Sequence, residues 1–286
     1  AMFDAIIIGK GPAGISASLY LKRAGFDVLV IGKDGGDLEK TQRIENYYGL
    51  ERPLSGKELL DRGVAQAQAL GIEVRSAEVT AIEKEANFTV RTEQGVSESK
   101  TLLLATGKSR IKADIKGLES LRGRGVSFCA VCDGFFYRGK RLGVIGSGAY
   151  ALSELSELTR FTKEITLFTN GSPLTAQTIP EGLSIVPEPI LSIDGTDTVE
   201  GVTTIERTIP LDGVFVAMGT AGASDFALKL GVLTNGTDLA VDSDFMTNVA
   251  GLYAAGDAIG GFLQIAKAVS DGALAAKSMI RRLKTL

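Results

Sequence analysis

Two cysteines and an adjacent carboxylate are the residues of this sequence best placed to do chemistry. Cys129 and Cys132 are the only cysteines of the 286-residue chain, and Asp133 follows directly. A C-x-x-C pair can close into a small disulfide ring and exchange two electrons. If the pair opened a helix, Cys129 would be favoured as the thiolate, because the helix dipole stabilises negative charge there. Asp133 could transfer the proton that the exchange requires.

Histidine is absent from the sequence, and this narrows the chemistry. Ser-His and Cys-His catalytic pairs are excluded. A structural zinc site would need two ligands beyond the cysteines, so we predict no metal site. In a reducing compartment a C-x-x-C pair is more often redox-active than structural. The alternative is a pair of buried cysteines packed beside Phe128, Phe135 and Phe136, with the neighbouring aspartate forming a turn.

A glycine-rich loop near the start of the sequence has the spacing of a dinucleotide-binding loop. Its pattern is G-x-G-x-x-G, and it comprises Gly9, Gly11, Pro12, Ala13 and Gly14 around Lys10. The loop follows a buried-strand pattern, FDAIIIG, and precedes a helical stretch over 13–24. Gly9 permits a tight turn, Gly11 leaves room for a pyrophosphate, and Gly14 lets the helix pack close to the strand. The phosphates would lie at the helix N-terminus, where free N–H groups favour anions.

The strand after this helix, over 26–31, completes a βαβ unit but lacks one expected residue. Dinucleotide-binding folds usually place an acidic residue at the end of this strand to bind a ribose. No acidic residue stands there, and Asp34 comes too late in the chain to serve. We therefore predict that the loop after the strand holds the adenosine. Its predicted contacts are Lys33, Gly36 and Leu38.

A second βαβ unit begins near Arg141 and repeats the order of strand, Gly-x-Gly turn, helix and strand. Two such units predict an α/β fold with two Rossmann-like domains of the three-layer ββα type. The segment over 251–261 has no βαβ unit of its own, so it and the following helix should complete the first domain. We therefore predict a discontinuous first domain, 1–111 with 241–286. The inserted second domain, 112–240, would carry the cysteines.

The residues around the cysteines resemble those of a known family. The segment FCAVCDGFFYRGK closely resembles the redox motif of low-molecular-weight thioredoxin reductases. The resemblance covers essentially the whole chain and includes GKGPAG, IENYYG, LATG, DGVFVAMG and GLYAAGD. It implies FAD as the cofactor, thioredoxin as the partner and a homodimer as the assembly. It also implies that Cys132 takes electrons from the flavin, that Cys129 attacks the partner disulfide, and that Asp133 acts as acid and base.

The resemblance further implies which residues hold FAD together with the first glycine loop. These are Asn46, Thr106, Gly107, Gly256, Asp257, Gln264 and Ile265. Leu263 stands where the family usually has arginine. The contact that this arginine would make on the phosphate side of FAD is therefore not expected here.

The second glycine loop, over 146–151, lies where thioredoxin reductases bind NADPH, but its surroundings differ from the family pattern. The family shows a basic cluster after the next strand, whereas this sequence has neither Lys nor Arg from Phe168 until Arg207. A 2′-phosphate without a cation forfeits charge-assisted hydrogen bonds of roughly 1.5–3 kcal/mol each. Tyr150 replaces a small polar residue and would crowd a pyrophosphate. We expect a domain retained as scaffold; the alternative is NADPH binding through other residues.

The missing nucleotide motif makes the chain similar to thioredoxin-reductase-like flavoenzymes that accept electrons from reduced ferredoxin. Ferredoxins are acidic, so their docking surface should be basic. Between Lys108 and Arg141 the sequence has nine basic and three acidic residues, although the whole chain has a net charge of −3. Ferredoxin is therefore the expected donor. The alternatives are NADPH or NADH as donor, a dithiol oxidase that passes electrons to oxygen, or a scaffold without enzymatic activity.

Composition excludes several other classes of function. The small net charge predicts neither nucleic-acid binding nor attachment to a membrane surface. No apolar run approaches the roughly 18 residues that span a bilayer. The sequence enters a strand at once, without the basic and apolar regions of a secretory signal. We expect a cytoplasmic protein.

Overall fold

The structure, a computed structural model, describes residues 2–108, 114–175 and 178–286. The described residues form two compact units, one within Ala1–Ser109 and Gly222–Leu286, the other within Arg110–Ala221. The second boundary thus lies at 221/222, whereas the sequence placed it at 240/241.

The earlier boundary has a local cause in the helix Ala223–Leu230. This helix contacts the strand Val79–Lys84 of the first unit. In addition, its first N–H, from Ala223, donates to the hydroxyl of Thr106 at 2.8 Å. These contacts belong to the first unit, so the chain has already returned to it by residue 222.

Strands and helices alternate in the two βαβ units, and runs of consecutive strands make up much of the remaining chain. In chain order the strands are β1 (Met2–Ile8), β2 (Val28–Ile31), β3 (Glu73–Arg75), β4 (Val79–Lys84), β5 (Phe88–Thr92), β6 (Gly95–Leu104), β7 (Val126–Ser127), β8 (Leu142–Ile145), β9 (Ile165–Phe168), β10 (Ser184–Val186), β11 (Ile190–Asp194), β12 (Gly201–Thr204), β13 (Thr208–Pro210), β14 (Gly213–Val216), β15 (Thr234–Asn235), β16 (Asp238–Leu239) and β17 (Leu252–Ala254). The α-helices are α1 (Pro12–Arg23), α2 (Gly36–Glu39), α3 (Gly56–Ala69), α4 (Ala130–Asp133), α5 (Ala149–Leu158), α6 (Ala223–Leu230) and α7 (Ile265–Leu283). Two 3-10 helices cover Gly134–Tyr137 and Gly256–Ile259.

The first unit is built on a mixed sheet whose parallel part carries the glycine loop. Strands β3, β2, β1 and β6 lie side by side in parallel. The end of β6 pairs in parallel with β17, and its beginning pairs antiparallel with β5, which pairs with β4. The run Ala5–Ile8 is buried throughout, as expected of a central parallel strand covered on both faces. Helices α1 and α7 pack against each other within the same core.

The second unit repeats the same order of elements. Its parallel sheet has the order β10-β9-β8-β14-β7, and α5 connects β8 to β9 as α1 connects β1 to β2. A separate antiparallel sheet contains β11, β12 and β13. The predicted α/β fold with two Rossmann-like βαβ units is therefore confirmed, as is the carboxyl-terminal helix of the first unit. None of the helices in the described ranges has the length and apolarity needed to cross a membrane.

Close packing of α7 on α1 predicts opposite changes in the free energy of unfolding when two helical glycines are replaced by alanine. A Cβ on Gly272 of α7 would collide with the backbone carbonyl of Ala13 in α1. We therefore expect Gly272→Ala to lower the free energy of unfolding by about 1–3 kcal/mol, the usual cost of overpacking. In Gly63→Ala the nearest described atom is Cγ2 of Ile15 at 3.6 Å, so this control should gain up to about 1 kcal/mol from helix propensity. Chemical denaturation measures both; equal effects would contradict the role of close packing.

Candidate active site

Cys129 and Cys132 form a disulfide at the start of α4. Cys129 is the N-cap residue of this helix, and its Sγ accepts the N–H of Cys132 at 3.1 Å. The condition under which Cys129 would be favoured as the thiolate is therefore met. After reduction the same N–H would stabilise a thiolate on Cys129.

The two sulfur-bearing residues differ in their access to solvent. Cys129 is 1% exposed, whereas Cys132 is exposed. The cysteine predicted to attack a partner disulfide is thus the buried one in this structure. Attack by Cys129 on a protein disulfide requires a rearrangement that uncovers its sulfur.

Ser127, which the sequence analysis did not identify, holds the predicted acid Asp133 through its hydroxyl. Ser127, 5% exposed, donates from Oγ to a carboxylate oxygen of Asp133 at 2.7 Å. The same Oγ accepts the backbone N–H of Cys129 at 3.1 Å. Ser127 therefore connects the predicted acid to the cysteine backbone. Its place at the end of β7, two residues before Cys129, is the only sequence signal for this role.

A second carboxylate reaches the same helix from α5. Oε2 of Glu154 accepts the backbone N–H of Ala130, the first residue of α4, at 2.9 Å. Glu154 is only 2% exposed. Sequence spacing contains a signal for it, because Ala151, Leu155 and Leu158 define a buried helical face that includes position 154.

The aromatic residues near the cysteines do not form the buried shell of the structural alternative. Phe135 and Phe136 are 62% and 74% exposed, and only Phe128 packs against a core, as a half-buried side chain. Arg138 lies over the Phe135 ring at 5.3 Å from its centroid. The disulfide is therefore flanked by exposed aromatic surface on the side of the following 3-10 helix.

The first glycine loop joins β1 to α1 and leaves one position open. Gly9 has a φ of +114°, and a Cβ on it would collide with the carbonyl of Ala105. A Cβ on Gly14 would collide with the carbonyl of Gly9. A Cβ on Gly11, by contrast, would meet no described atom within 4 Å. Gly11 therefore marks the side from which a pyrophosphate can approach the loop.

The start of α1 provides donors for such a group. Pro12 is the first helical residue and has no N–H, so Ala13 and Gly14 supply the first free N–H groups. No described side chain caps this helix. An uncapped helix start beside an open glycine fits a phosphate group.

Parallel pairing brings further predicted cofactor residues to the same edge. Thr106 and Gly107 follow β6, and Gly256 and Asp257 follow β17. Because β1, β6 and β17 are adjacent and parallel, their carboxyl ends meet at one edge of the sheet. A Cβ on Gly256 would lie 3.0 Å from that of Ala13, which shows how close the β17 loop comes to α1.

Two predicted cofactor residues far apart in sequence are in direct contact. The Asn46 side-chain amide donates to the Gln264 side-chain oxygen at 3.0 Å. Gln264 is the N-cap of α7, and Ile265 is its first helical residue. Leu263 is 38% exposed beside them. These residues and the glycine loop belong to one unit and could together hold a dinucleotide.

The loop predicted to hold the adenosine is organised by ion pairs. Nζ of Lys33 lies 2.6 Å from the buried carboxylate of Glu78, and this hydrogen bond raises the pKa of Lys33. Lys10 donates to the carbonyl of Lys33 at 3.2 Å. Gly36 and Leu38 belong to the short helix α2. A hollow beside the loop is lined by Lys10, Lys33, Asp34, Gly35, Leu60 and Val64, among others.

The second glycine loop differs from the first in its contacts. A Cβ on Gly146 would collide with the carbonyl of Ala217, so the tight turn is retained. However, Thr175 donates its N–H to the carbonyl of Ser147 at 2.8 Å and its hydroxyl to the same oxygen at 3.3 Å. Tyr150 belongs to the core of the second unit, so the expectation that it crowds a pyrophosphate is not met.

Most of the chain matches a family of redox proteins. The family model "Pyridine nucleotide-disulphide oxidoreductase" matches residues 3–272. A thioredoxin reductase of Listeria monocytogenes is 33% identical over all of this chain and 95% of its own length. The chain belongs to the thioredoxin reductase family. It is accordingly a flavin-dependent disulfide oxidoreductase, and its cofactor is FAD.

Solved structures of family members share the fold. An atypical thioredoxin reductase, TRi, from Desulfovibrio vulgaris Hildenborough has 38% identity and a TM-score of 0.92, with 98% of each chain covered. A ferredoxin-flavin thioredoxin reductase from Clostridium acetobutylicum has 28% identity and a TM-score of 0.75, covering 100% of this chain and 99% of that one.

Family membership gives the open position at Gly11 a specific test. Because its φ of −77° is ordinary, Gly11→Ala should fold normally and place a methyl group where the pyrophosphate approaches. We expect at least a tenfold weaker affinity for FAD, about 1.4 kcal/mol, with an unchanged melting temperature of the FAD-free protein. Flavin titration measures the affinity, and Gly63→Ala is the control. Undiminished FAD binding would show that the open side is not the phosphate side.

The Ser127 bridge predicts slower thiol–disulfide exchange when its hydroxyl is removed. Ser127→Ala leaves Asp133 and the Cys129 N–H without their shared partner. We expect about a tenfold lower rate with a small aromatic disulfide after chemical reduction, since a general acid or base contributes typically 10²–10⁴-fold and only its orientation is lost. Ser120→Ala, in an exposed turn, is the control. An unchanged rate and pH profile would remove Ser127 from the site.

Proposed function

We propose that this chain reduces the disulfide of thioredoxin through Cys129 and Cys132, with electrons supplied by reduced ferredoxin. The choice of donor rests on the contacts of the second glycine loop and on the residues that follow the next strand. At this loop Thr175 is bonded to the turn at Ser147, and the residues after the following strand include no cation until Arg207.

The contact of Thr175 with Ser147 obstructs the second glycine loop. Its two hydrogen bonds attach the segment after β9 to the turn between β8 and α5. Leu174 packs against the core of the second unit and fixes the same segment. A nucleotide entering at this turn would have to displace these contacts, whereas Gly11 of the first loop faces open space.

The residues after β9 lack the groups that recognise a pyridine nucleotide. Asn170 stands where thioredoxin reductases have a cation that binds the 2′-phosphate. Its side-chain oxygen instead accepts the N–H of Ile190 at 2.7 Å. Arg207, the first basic residue after it in the sequence, is paired with Glu188 at 2.7 Å. Neither the phosphate of NADPH nor the free ribose of NADH thus finds its usual partner.

Similarity to solved structures supports a donor other than a pyridine nucleotide. One protein of matching fold is a ferredoxin-flavin thioredoxin reductase, and another is described as an atypical thioredoxin reductase. The basic stretch between Lys108 and Arg141, of which Arg110 and Lys112 lie outside the described residues, supplies charge for an acidic donor. Arg122 and Arg141 pair with acids of the same unit, whereas Lys116, Arg124 and Lys140 form no ion pair with any described residue.

In the proposed reaction, electrons pass from FAD to the Cys129–Cys132 disulfide and from there to thioredoxin. FAD, when bound, can accept single electrons from an iron–sulfur donor and pass a pair to the disulfide. Reduction with two electrons and two protons gives two thiols. The Cys129 thiolate then attacks one sulfur of the partner, and Cys132 attacks Cys129 to release the reduced partner. Two thiols of the chain are oxidised and two thiols of thioredoxin form, with Asp133 transferring the protons.

The resemblance to thioredoxin reductases adds two expectations. We propose that the chain assembles as a homodimer and that it acts in the cytoplasm. Both the assembly and the location are independent of which protein donates the electrons.

Comparison of donors under anaerobic conditions tests the proposal. We expect reduced ferredoxin to bleach the flavin within a turnover, and NADPH or NADH to leave it oxidised at millimolar concentration. Absorbance in the flavin bands is the measurement. Rapid bleaching by NADPH would overturn the choice of donor.

A Cys132→Ser variant separates the two halves of the reaction. Its flavin should still be bleached by ferredoxin, but electrons should not reach thioredoxin, because the disulfide cannot form. Wild-type protein that is bleached and yet leaves thioredoxin oxidised would contradict the proposed acceptor. Fast oxygen consumption with small dithiols would instead indicate an oxidase.

A further inference from the structure

We propose that Glu154 is a positioning residue that makes Cys129–Cys132 a stronger reductant, through its hydrogen bond to the first residue of the cysteine helix. The inference rests on the proposed function of this disulfide as a reductant of a partner. It assigns a role to a residue outside the cysteine motif and outside the cofactor residues.

The location of Glu154 is unusual for a carboxylate. It lies on the buried face of α5 with Ala151, Leu155 and Leu158, where a helix of this pattern normally has an apolar side chain. Only 2% of the residue is exposed. Burying a carboxylate is strongly unfavourable unless hydrogen bonds compensate. A charged group at such a position therefore calls for a specific interaction.

One interaction of Glu154 is with the backbone of the redox helix. Ala130 is completely buried, and its N–H donates to Glu154 at 2.9 Å. This N–H belongs to the first turn of α4, where no backbone acceptor of the helix can reach it. The bond therefore attaches the start of α4 to α5.

The same bond changes the electrostatics of the sulfur. Free N–H groups at a helix start stabilise a thiolate, and in this helix the Ala130 N–H points to Glu154 while the Cys132 N–H points to Cys129. Glu154 thus withdraws one donor from the sulfur and adds a negative charge at the helix end where the thiolate forms. A thiolate that is less stabilised gives up its electrons more readily, since stabilisation of the reduced form is what makes such a pair an oxidant.

Three other titratable groups are described near this helix: Asp133, Tyr137 and Arg138, whose guanidinium lies over the Phe135 ring. Asp133 is also acidic, and its carboxylate is held by Ser127. Burial, followed by the charge of Asp133, raises the pKa of Tyr137, so this phenol stays neutral at neutral pH. Glu154 therefore adds a second carboxylate to a helix that already includes Asp133.

Two substitutions separate the charge from the hydrogen bond. Glu154→Gln keeps an oxygen that can accept the Ala130 N–H and removes the charge, whereas Glu154→Ala removes both. The flavin-loaded protein is equilibrated anaerobically with mixtures of dithiothreitol and its oxidised form. Acid quenching and alkylation then allow the free thiols to be counted by mass spectrometry. We expect the Gln variant to be easier to reduce, with a midpoint shifted about tenfold, which is about 30 mV for a two-electron couple.

Glu157→Gln is the matched control, because Glu157 lies one turn later on α5 in a surface ion pair with Arg160. Its midpoint should equal that of the wild type. The melting temperature should fall in Glu154→Ala and be largely retained in Glu154→Gln, while the midpoint should shift in both. A Gln midpoint equal to the control, or shifted toward harder reduction, overturns the proposal. Because dithiothreitol replaces both protein partners, this outcome is independent of whether ferredoxin and thioredoxin are the true partners.

Discussion

The glycine loop and the disulfide both depend on backbone N–H groups at the starts of helices. At α1 they are uncapped by any described side chain and lie beside the open position of Gly11. At α4 one of them is bonded to the sulfur of Cys129. The first arrangement suits a phosphate and the second a thiolate, and both rest on the donors that a helix cannot satisfy internally. Cofactor binding and sulfur chemistry thus both depend on the unsatisfied N–H groups at helix N-termini.

The βαβ unit occurs twice, and its two copies have diverged in their contacts. Both have a glycine whose missing side chain allows a tight turn against a neighbouring strand, Gly9 in one and Gly146 in the other. In the second copy Thr175 is bonded to the turn, and the end of β9 has no cation. The second copy therefore retains the tight turn of the first but differs from it in the contacts of its glycine loop. What the second copy contributes is α5, which supports the redox helix.

The polar groups around the disulfide form a connected set. Ser127 joins Asp133 to the backbone of Cys129, and Glu154 joins α5 to Ala130. These groups are held by the fold around the disulfide, while attack by the buried Cys129 still requires a rearrangement that uncovers its sulfur. The exposed aromatic side chains beside Cys132 leave the outer face of the site accessible.

The sequence by itself determined the features that arise from local spacing. The glycine loop, the strand and helix pattern of both βαβ units and the cysteines at a helix start all follow from residues within a few positions of each other. Tertiary structure alone decided the contact of Asn46 with Gln264, the bond of Glu154 to the redox helix, and the burial of Cys129 beside an exposed Cys132. It also decided that the chain returns to the first unit before residue 223. These features depend on which distant segments pack together, and packing is a property of the whole fold that no short pattern contains.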